Sequence, residues 1–90
     1  MFRIWGKIIK ENKVLRDYTV CIDDQSMTRT QKVYHALDEI CIKFDLPKPL
    51  WLKKNQQDFI RSARTRFNQD NFIEQINFDY LDFQIIEEDY

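Results

Sequence analysis

A helical repeat of apolar side chains in the middle of the chain is the feature that most restricts its fold. The repeating apolar positions are Val33, Ala36, Leu37, Ile40, Cys41 and Phe44. They fall on one side of an α-helix, and Thr28-Arg-Thr-Gln31 before them has the form of a capping box, with Ser26 as an alternative cap. Because Leu46 precedes Pro47, the helix should end near Asp45. Such a helix has to bury its apolar side against another element.

The first quarter of the chain predicts a β-hairpin that can supply this surface. The segments FRIWGKIIK and VLRDYTVCID flank a turn at Glu11-Asn12-Lys13 and are rich in β-branched and aromatic residues. A three-residue loop sets Phe2 opposite Ile22 and Lys7 opposite Asp17. This register makes one face apolar and pairs opposite charges, so it is favoured.

A two-residue loop is the alternative, and it sets Ile8 opposite Asp17. In the favoured register Gly6 lies opposite Tyr18. Two interpretations of this glycine stay open, because it either leaves room for the Tyr18 ring or marks a bulge.

The second half of the chain predicts a shorter helix and a final strand. Leu46–Leu52 is extended by its two prolines, and Asn55, with Asp58 three residues later, can cap a helix through roughly Phe67. The apolar positions of this helix are Phe59, Ile60, Ala63 and Phe67. The last segment contains a strand with apolar odd positions Leu81, Phe83 and Ile85, whereas 71–76 fits strand, loop and helical turn equally poorly.

These elements predict an α+β fold in a single domain, residues 1–90. A small antiparallel sheet, formed by the N-terminal hairpin and the C-terminal strand, carries two helices packed on it in the order β-β-α-α-β.

Charge is distributed unevenly along the chain. Residues 1–66 hold all 14 Lys and Arg together with 8 Asp and Glu, whereas residues 67–90 hold 7 Asp and Glu and no cation. The acidic third is also among the most apolar parts of the chain, so it is predicted to be a core strand and not a tail. We expect its carboxylates to meet basic neighbours: Asp79, Asp82 and Glu87 against Lys7, Lys10, Arg16, Arg64 or Arg66.

The residue types needed for catalysis or metal binding are sparse. The one histidine, His35, lies one turn from Glu39 on the polar side of the helix, where a solvated surface residue is expected. Zinc sites need three or four clustered ligands, and Cys21 and Cys41 are far apart in the chain. Phosphate-binding loops need several glycines, and this chain has one. We therefore predict a protein with no enzymatic activity, no cofactor and no metal.

Targeting signals are also not apparent. Arg3 and Lys7 interrupt the N-terminal segment before an apolar run develops, and no stretch approaches the roughly 20 apolar residues of a membrane span. Both cysteines lie in apolar segments, which favours reduced core thiols over a disulfide. The sequence thus predicts a cytoplasmic protein that does not contact a membrane.

One sheet face is the first candidate for partner binding. Trp5, Ile9 and Leu15 are predicted on the face opposite Phe2 and Ile4. If the two helices cover only one face, an apolar patch remains there, whereas the second helix and residues 47–52 could instead wrap it. The leading hypothesis is a non-catalytic protein-interaction or self-associating module, with an unknown protein partner or a homodimer.

Nucleic-acid binding through a basic stretch is the alternative hypothesis. The candidate residues are Lys48, Trp51, Lys53, Lys54, Arg61, Arg64 and Arg66. Cations that neutralise phosphates, interleaved with an aromatic ring for stacking on a base, are typical of such a surface. If 55–67 is one helix, Arg61 and Arg64 share a face of it.

Two long stretches also resemble known proteins. They are TRTQKVYHALDEICIKFDLPKPLWL and RTRFNQDNFIEQINFDYLDFQIIEED, and the FDYL…IEED ending is the most specific part. Together they are similar to a set of short bacterial hypothetical proteins of about this length, to which no activity is attached. The resemblance implies a bacterial cytosolic origin and a stand-alone domain, and it carries over no functional residue.

Overall fold

The computed structural model describes residues 1–88, which form a four-stranded antiparallel sheet with two helices on one face. The elements in chain order are β1 (Phe2–Lys10), β2 (Lys13–Ile22), α1 (Arg29–Phe44), α2 (Lys53–Ser62), β3 (Arg64–Phe67) and β4 (Tyr80–Glu87), with a short 3-10 turn at Gln69–Asn71. The strand order across the sheet is β2-β1-β4-β3. The α+β class predicted from the sequence is confirmed, with β3 as an additional strand.

Helix α1 forms as the sequence predicts. The Thr28 Oγ1 atom accepts from the backbone N–H of Gln31, and the Gln31 side chain accepts from the backbone N–H of Thr28. At the other end, Asp45 adopts a left-handed conformation and closes the helix before Pro47. All six residues of the apolar stripe are buried. The stripe packs on the even-numbered side chains of β1, so this face of the sheet is the core.

The hairpin keeps the predicted register but not the predicted turn. Phe2 lies opposite Ile22 and Lys7 opposite Asp17. The loop, however, contains only the two residues Glu11 and Asn12, both at positive φ, in place of the expected three. A bulge at Leu15 inserts one extra residue into β2 and restores the predicted pairing beyond it.

Gly6 is required by the helix and not by the neighbouring strand. A Cβ atom at this position would lie 2.8 Å from Cδ1 and 2.9 Å from Cγ2 of Ile40 on α1. The bulge lies at Leu15, two pairs away, so both sequence-based interpretations of Gly6 are corrected. The missing side chain allows α1 to approach the centre of the sheet closely.

Helix α2 is shorter than the sequence predicts, and its end creates the fourth strand. Ala63 adopts a left-handed conformation and terminates the helix. Residues 64–67 then pair with β4, where Thr65 and Phe67 face the core. Side chains in RTRF alternate between the core and the other face of the sheet, as in a β-strand. Pairing with β4 therefore outweighs the helical spacing that was expected through Phe67. Asn55 is not the cap: it lies in the third position of the helix, and its Oδ1 accepts from the backbone N–H of Leu52.

Asn55 is the centre of a buried polar network. Its Nδ2 donates to Thr65 Oγ1 at 2.8 Å and to the Arg66 carbonyl at 3.1 Å, and its Oδ1 accepts from Asn71 Nδ2 at 2.7 Å. Asn71 also donates to the Leu50 carbonyl. The network joins the segment before α2, strand β3 and the 3-10 turn.

We predict that Gly6→Ala destabilises the fold by about 1–3 kcal/mol, because the new methyl group overpacks the contact with Ile40. Urea unfolding monitored by circular dichroism measures this loss. Combining Gly6→Ala with Ile40→Ala should recover part of it, since the double variant removes the clash. Equal additive losses in the double variant would contradict the steric explanation.

We predict that Asn55→Ala lowers the free energy of unfolding by about 2–3 kcal/mol, because Thr65 and Asn71 lose buried partners. Gln57→Ala on the exposed side of the same helix is the matched control and should change stability little. If both variants unfold at the same urea concentration, the network does not hold these elements together.

Candidate functional site

A groove between α1 and α2 is an apolar concave surface on the helix side of the molecule. Its cavity volume is about 270 Å³. Helix α1 contributes Val33 and Tyr34, α2 contributes Phe59 and Ile60, and Trp51 lies between the helices. The groove exists because α2 packs over β3 at the far side of the sheet, while α1 packs over β1 and β2.

The floor of the groove is a cluster of packed aromatic rings. Trp51 meets Phe59 and Phe67 edge to face, with ring centroids 5.5 and 5.2 Å apart, and it meets Tyr34 at 5.9 Å. Its indole Nε1 is buried and has no hydrogen-bond partner among the described residues. A buried donor without an acceptor costs free energy, so an acceptor that reached it would bind favourably.

The rim of the groove exposes large apolar side chains beside polar ones. Tyr34 is 48% exposed and Ile60 is 87% exposed. Arg29 lies at one end, where its Nε is 2.7 Å from Glu88 Oε1 and its guanidinium lies 5.8 Å from the Phe59 ring centre. Thr30 and Gln56 also line the groove and provide further hydrogen-bonding groups. An apolar floor with a few polar groups at its edge is typical of a recognition site.

The second candidate surface is the sheet face that the helices leave open. It carries two pairs of an aromatic ring and a cation: Lys7 Nζ lies 4.1 Å from the Trp5 ring centre, and the Arg66 guanidinium lies 4.5 Å from that of Tyr80. The Trp5 indole N–H is satisfied here, because it donates to Asp17 at 3.0 Å.

A buried carboxylate, Asp82, lies at the centre of this open face. It is 2% exposed and accepts from both Nε and one terminal nitrogen of Arg64. Lys7 Nζ lies 3.7 Å from the same carboxylate. The hydrogen bonds and negative charge of Asp82 raise the pKa of Arg64 above its ordinary value. Asp82 therefore pairs with two of the basic neighbours expected for the acidic strand, and Glu87 pairs with Arg3.

The structure separates Leu15 from the other two predicted partner-binding residues. Trp5 is half-buried on the open face, and Ile9 is buried. Leu15 is exposed, but its bulge places it in a second cavity of about 440 Å³, together with Ile8 and Phe44 of the helix side. The helices do leave one face open, yet that face is charged and the expected continuous apolar patch does not form.

The basic stretch is likewise divided between two surfaces. Arg64 and Arg66 lie on β3 and the open face, whereas Arg61 lies on α2, so the shared helix face expected for Arg61 and Arg64 is wrong. Trp51 is packed into the groove floor with Phe59 and Phe67, away from the open face.

Most cations of this stretch also have carboxylate partners. Lys48 pairs with Asp38, and both Lys54 and Arg61 pair with Asp58. Lys53 is exposed at the start of α2.

The groups with potential reactivity lie apart from each other. His35 Nε2 is 3.1 Å from Glu39 Oε1, and both side chains are exposed on the surface of α1. Both cysteines are free thiols, with Cys21 exposed and Cys41 buried. Burial raises the pKa of the Cys41 thiol to about 11, and the negative charge of Asp38 adds to this rise. Because less thiolate forms, the raised pKa lowers the reactivity of Cys41.

Residues 1–88 contain neither a cluster of metal ligands nor a membrane-spanning helix. No group of three or more His, Cys, Asp or Glu side chains within this range is arranged to hold a metal ion. No helix within the same range is long and apolar enough to cross a membrane.

Of the residues that line the groove, the sequence indicated only Trp51 as a candidate, and for nucleic-acid binding and not for an apolar groove. Ile60 was expected in the core of a longer helix, and Tyr34 lies just outside the apolar stripe of α1. A large apolar side chain beside such a stripe is the one signal that could have indicated an exposed rim.

Neither the protein-family models, nor the curated proteins, nor the solved structures contain a significant match to this chain.

Proposed function

We propose that this chain is a non-catalytic protein-interaction module whose groove between α1 and α2 holds one large apolar side chain of a partner peptide. The observation that carries the proposal is an aromatic floor next to a rim on which Ile60 is 87% exposed and Tyr34 48% exposed. Such side chains in a concave surface are typical of the centre of a protein interface.

The size of the groove supports a peptide side chain as its occupant. Its volume of about 270 Å³ is just below the roughly 300–1,000 Å³ of pockets that enclose a cofactor or drug-sized ligand. A single leucine, phenylalanine or tryptophan side chain is a better match. The ring contacts of Trp51 hold the floor in place without a ligand, so little ordering is needed on binding.

The polar groups define the remaining chemistry of the partner. The Trp51 indole N–H lacks an acceptor, and a peptide carbonyl next to the anchoring side chain could provide one. Thr30 and Gln56 can bond to the adjacent peptide backbone. The partner is thus a protein segment with an exposed large apolar residue.

A cytoplasmic location in a bacterial cell belongs to the same proposal. The two free thiols, one exposed and one buried, support a reducing compartment. No cofactor takes part in the proposed activity.

We predict that Ile60→Lys weakens peptide binding by about tenfold or more, because it places a charge on the rim of an apolar groove. The probes are peptides selected from a displayed library on the wild-type protein, and isothermal titration measures their affinity. Ile73→Lys is the matched control, since Ile73 is 88% exposed and does not line the groove. Equal losses in both variants, or selected peptides without a large apolar residue, would contradict the proposal.

The two tryptophans give a direct readout of where such a peptide binds. Addition of peptide should shift the indole N–H resonance of Trp51, which lines the groove. The Trp5 indole is bonded to Asp17 on the open face and should stay unchanged. A shift of Trp5 alone would place the binding site on the open face instead.

Single-stranded nucleic acid is the second candidate partner, now on the open face. The two stacked pairs, Lys7 with Trp5 and Arg66 with Tyr80, support it, because a base can stack on an aromatic ring beside a cation. Asp82 and Asp17 on the same face oppose a polyanion.

For this second candidate we predict that a labelled oligonucleotide binds at about 50 mM salt and is released as salt rises. Arg66→Glu should abolish the rise in fluorescence anisotropy, whereas Arg61→Glu on α2 should leave it nearly unchanged. Absence of binding to the wild-type protein at low salt would remove nucleic acid from consideration.

A further inference from the structure

We propose that a second copy of this chain pairs antiparallel with the outer edge of β2, which joins two four-stranded sheets into one continuous sheet. The proposal is independent of the groove, because β2 lies at the opposite side of the sheet from α2 and β3. It identifies a surface, a partner and a register.

The outer edge of β2 has no backbone partner in the described part of the chain. The strand is ten residues long and pairs with β1 on one side only. Among the described backbone hydrogen bonds outside helices and ladders, none involves residues 13–22. An unpaired row of N–H and C=O groups is matched by another β-strand and by no other regular structure.

The ladder pattern shows which residues point their backbone groups outward. The Ile9 carbonyl accepts from Asp79 N–H on the β4 side. The backbone N–H and C=O groups of the odd-numbered residues of β1 therefore point toward β4, and those of the even-numbered residues point toward β2. In the observed register the partners of those even-numbered residues are Tyr18, Val20 and Ile22. The N–H and C=O groups of Asp17, Thr19 and Cys21 therefore point away from the sheet.

Only the C-terminal half of β2 is open to pairing. In the N-terminal half, Lys13 and the bulge at Leu15 interrupt a regular edge, and Arg16 bonds to the Lys43 carbonyl of α1. Charges and bulges of this kind are the usual means by which proteins block edge pairing. The half at 17–22 has no bulge and is rich in β-branched residues.

One register pairs this half with itself. With Thr19 opposite Thr19 of the second copy, Asp17 lies opposite Cys21, so all three outward residues meet outward residues. A shift by two residues in one direction leaves Cys21 opposite the bulge at Leu15, and a shift in the other direction sets Asp17 opposite Asp23. The Thr19-centred pairing avoids both conflicts and has the two-fold symmetry of a homodimer.

The other edge of the sheet limits the assembly to two copies. Strand β3 has four residues, and the Asn55 side chain already occupies its Arg66 carbonyl. Because only one edge is available, pairing closes as a dimer and does not continue into a fibre. The two grooves of such a dimer would lie on one assembly and could bind a partner that carries two apolar segments.

The test is the mass of the full chain in solution by light scattering over a wide range of concentration. We expect twice the chain mass for the wild type and a single chain mass for Thr19→Pro. Proline removes an outward N–H and leaves the ladder to β1 intact. Thr19→Val keeps that N–H and should remain dimeric. A monomeric wild type, or a dimer that persists in Thr19→Pro, would overturn the proposal.

A cross-link tests the register even if Thr19→Pro fails to fold. In the Cys21→Ser background, Thr19→Cys places two thiols on paired residues about 5.5 Å apart between Cα atoms, a distance that a disulfide spans. Mild oxidation should convert most of this variant to a covalent dimer. Ser62→Cys in the same background is exposed on α2 and should stay uncross-linked. Equal cross-linking of both variants would show random collision and reject the register.

Neither the mass measured by light scattering nor the Thr19→Cys cross-link depends on the groove. Ile60→Lys, which tests peptide binding, should leave the dimer intact, since Ile60 is on α2 and far from β2 in the sheet order. Loss of the dimer in Ile60→Lys would instead place the contact between copies on the helix side and reject the β2 edge.

Discussion

The close approach of α1 to the centre of the sheet at Gly6 is the constraint on which the other features depend. A Cβ atom there would lie within 3 Å of Ile40, so the helix sits lower over β1 than any other residue would allow. This contact turns the even-numbered side of β1 into the core and leaves the odd-numbered side on the open face of the sheet. It also confines α1 to one half of the sheet. The other half is covered by α2, and the groove is the gap between the two helices.

Buried polar side chains add hydrogen bonds to the apolar packing. Asn55 of α2 is linked to strand β3 through Thr65 and the Arg66 carbonyl, and to the 3-10 turn through Asn71. On the open face Arg64 donates two hydrogen bonds to Asp82 and so compensates the negative charge of this residue of β4. The strong separation of charge along the sequence thus becomes a mixed surface once β4 lies between β1 and β3. The open face therefore carries paired charges of both signs and not a continuous basic surface.

Local patterns predicted the elements that pair with a neighbour close in the sequence or that carry a periodic repeat of apolar side chains. The capping box at Thr28, the stripe ending at Phe44 and the pairing of Phe2 with Ile22 all follow from such patterns, and each is present. The end of α2 does not, because Ala63 and the residues after it could continue a helix as readily as begin a strand. Pairing with β4, some twenty residues later, decided between them. The bulge at Leu15 could not be predicted either. A two-residue turn with one extra residue in β2 gives the same register as a three-residue turn.

The sequence by itself determined the α+β class, the core side of α1 and β1, and the scarcity of catalytic residue types, because these depend on composition and short-range periodicity. Only the tertiary structure decided what remains exposed. Trp51 and Ile60 have similar apolar character, yet one is the floor of a groove and the other its rim. Likewise, Thr19 points its backbone outward only because β2 became an edge strand. Exposure and edge position depend on which elements pack beside a residue, and no local pattern contains that information.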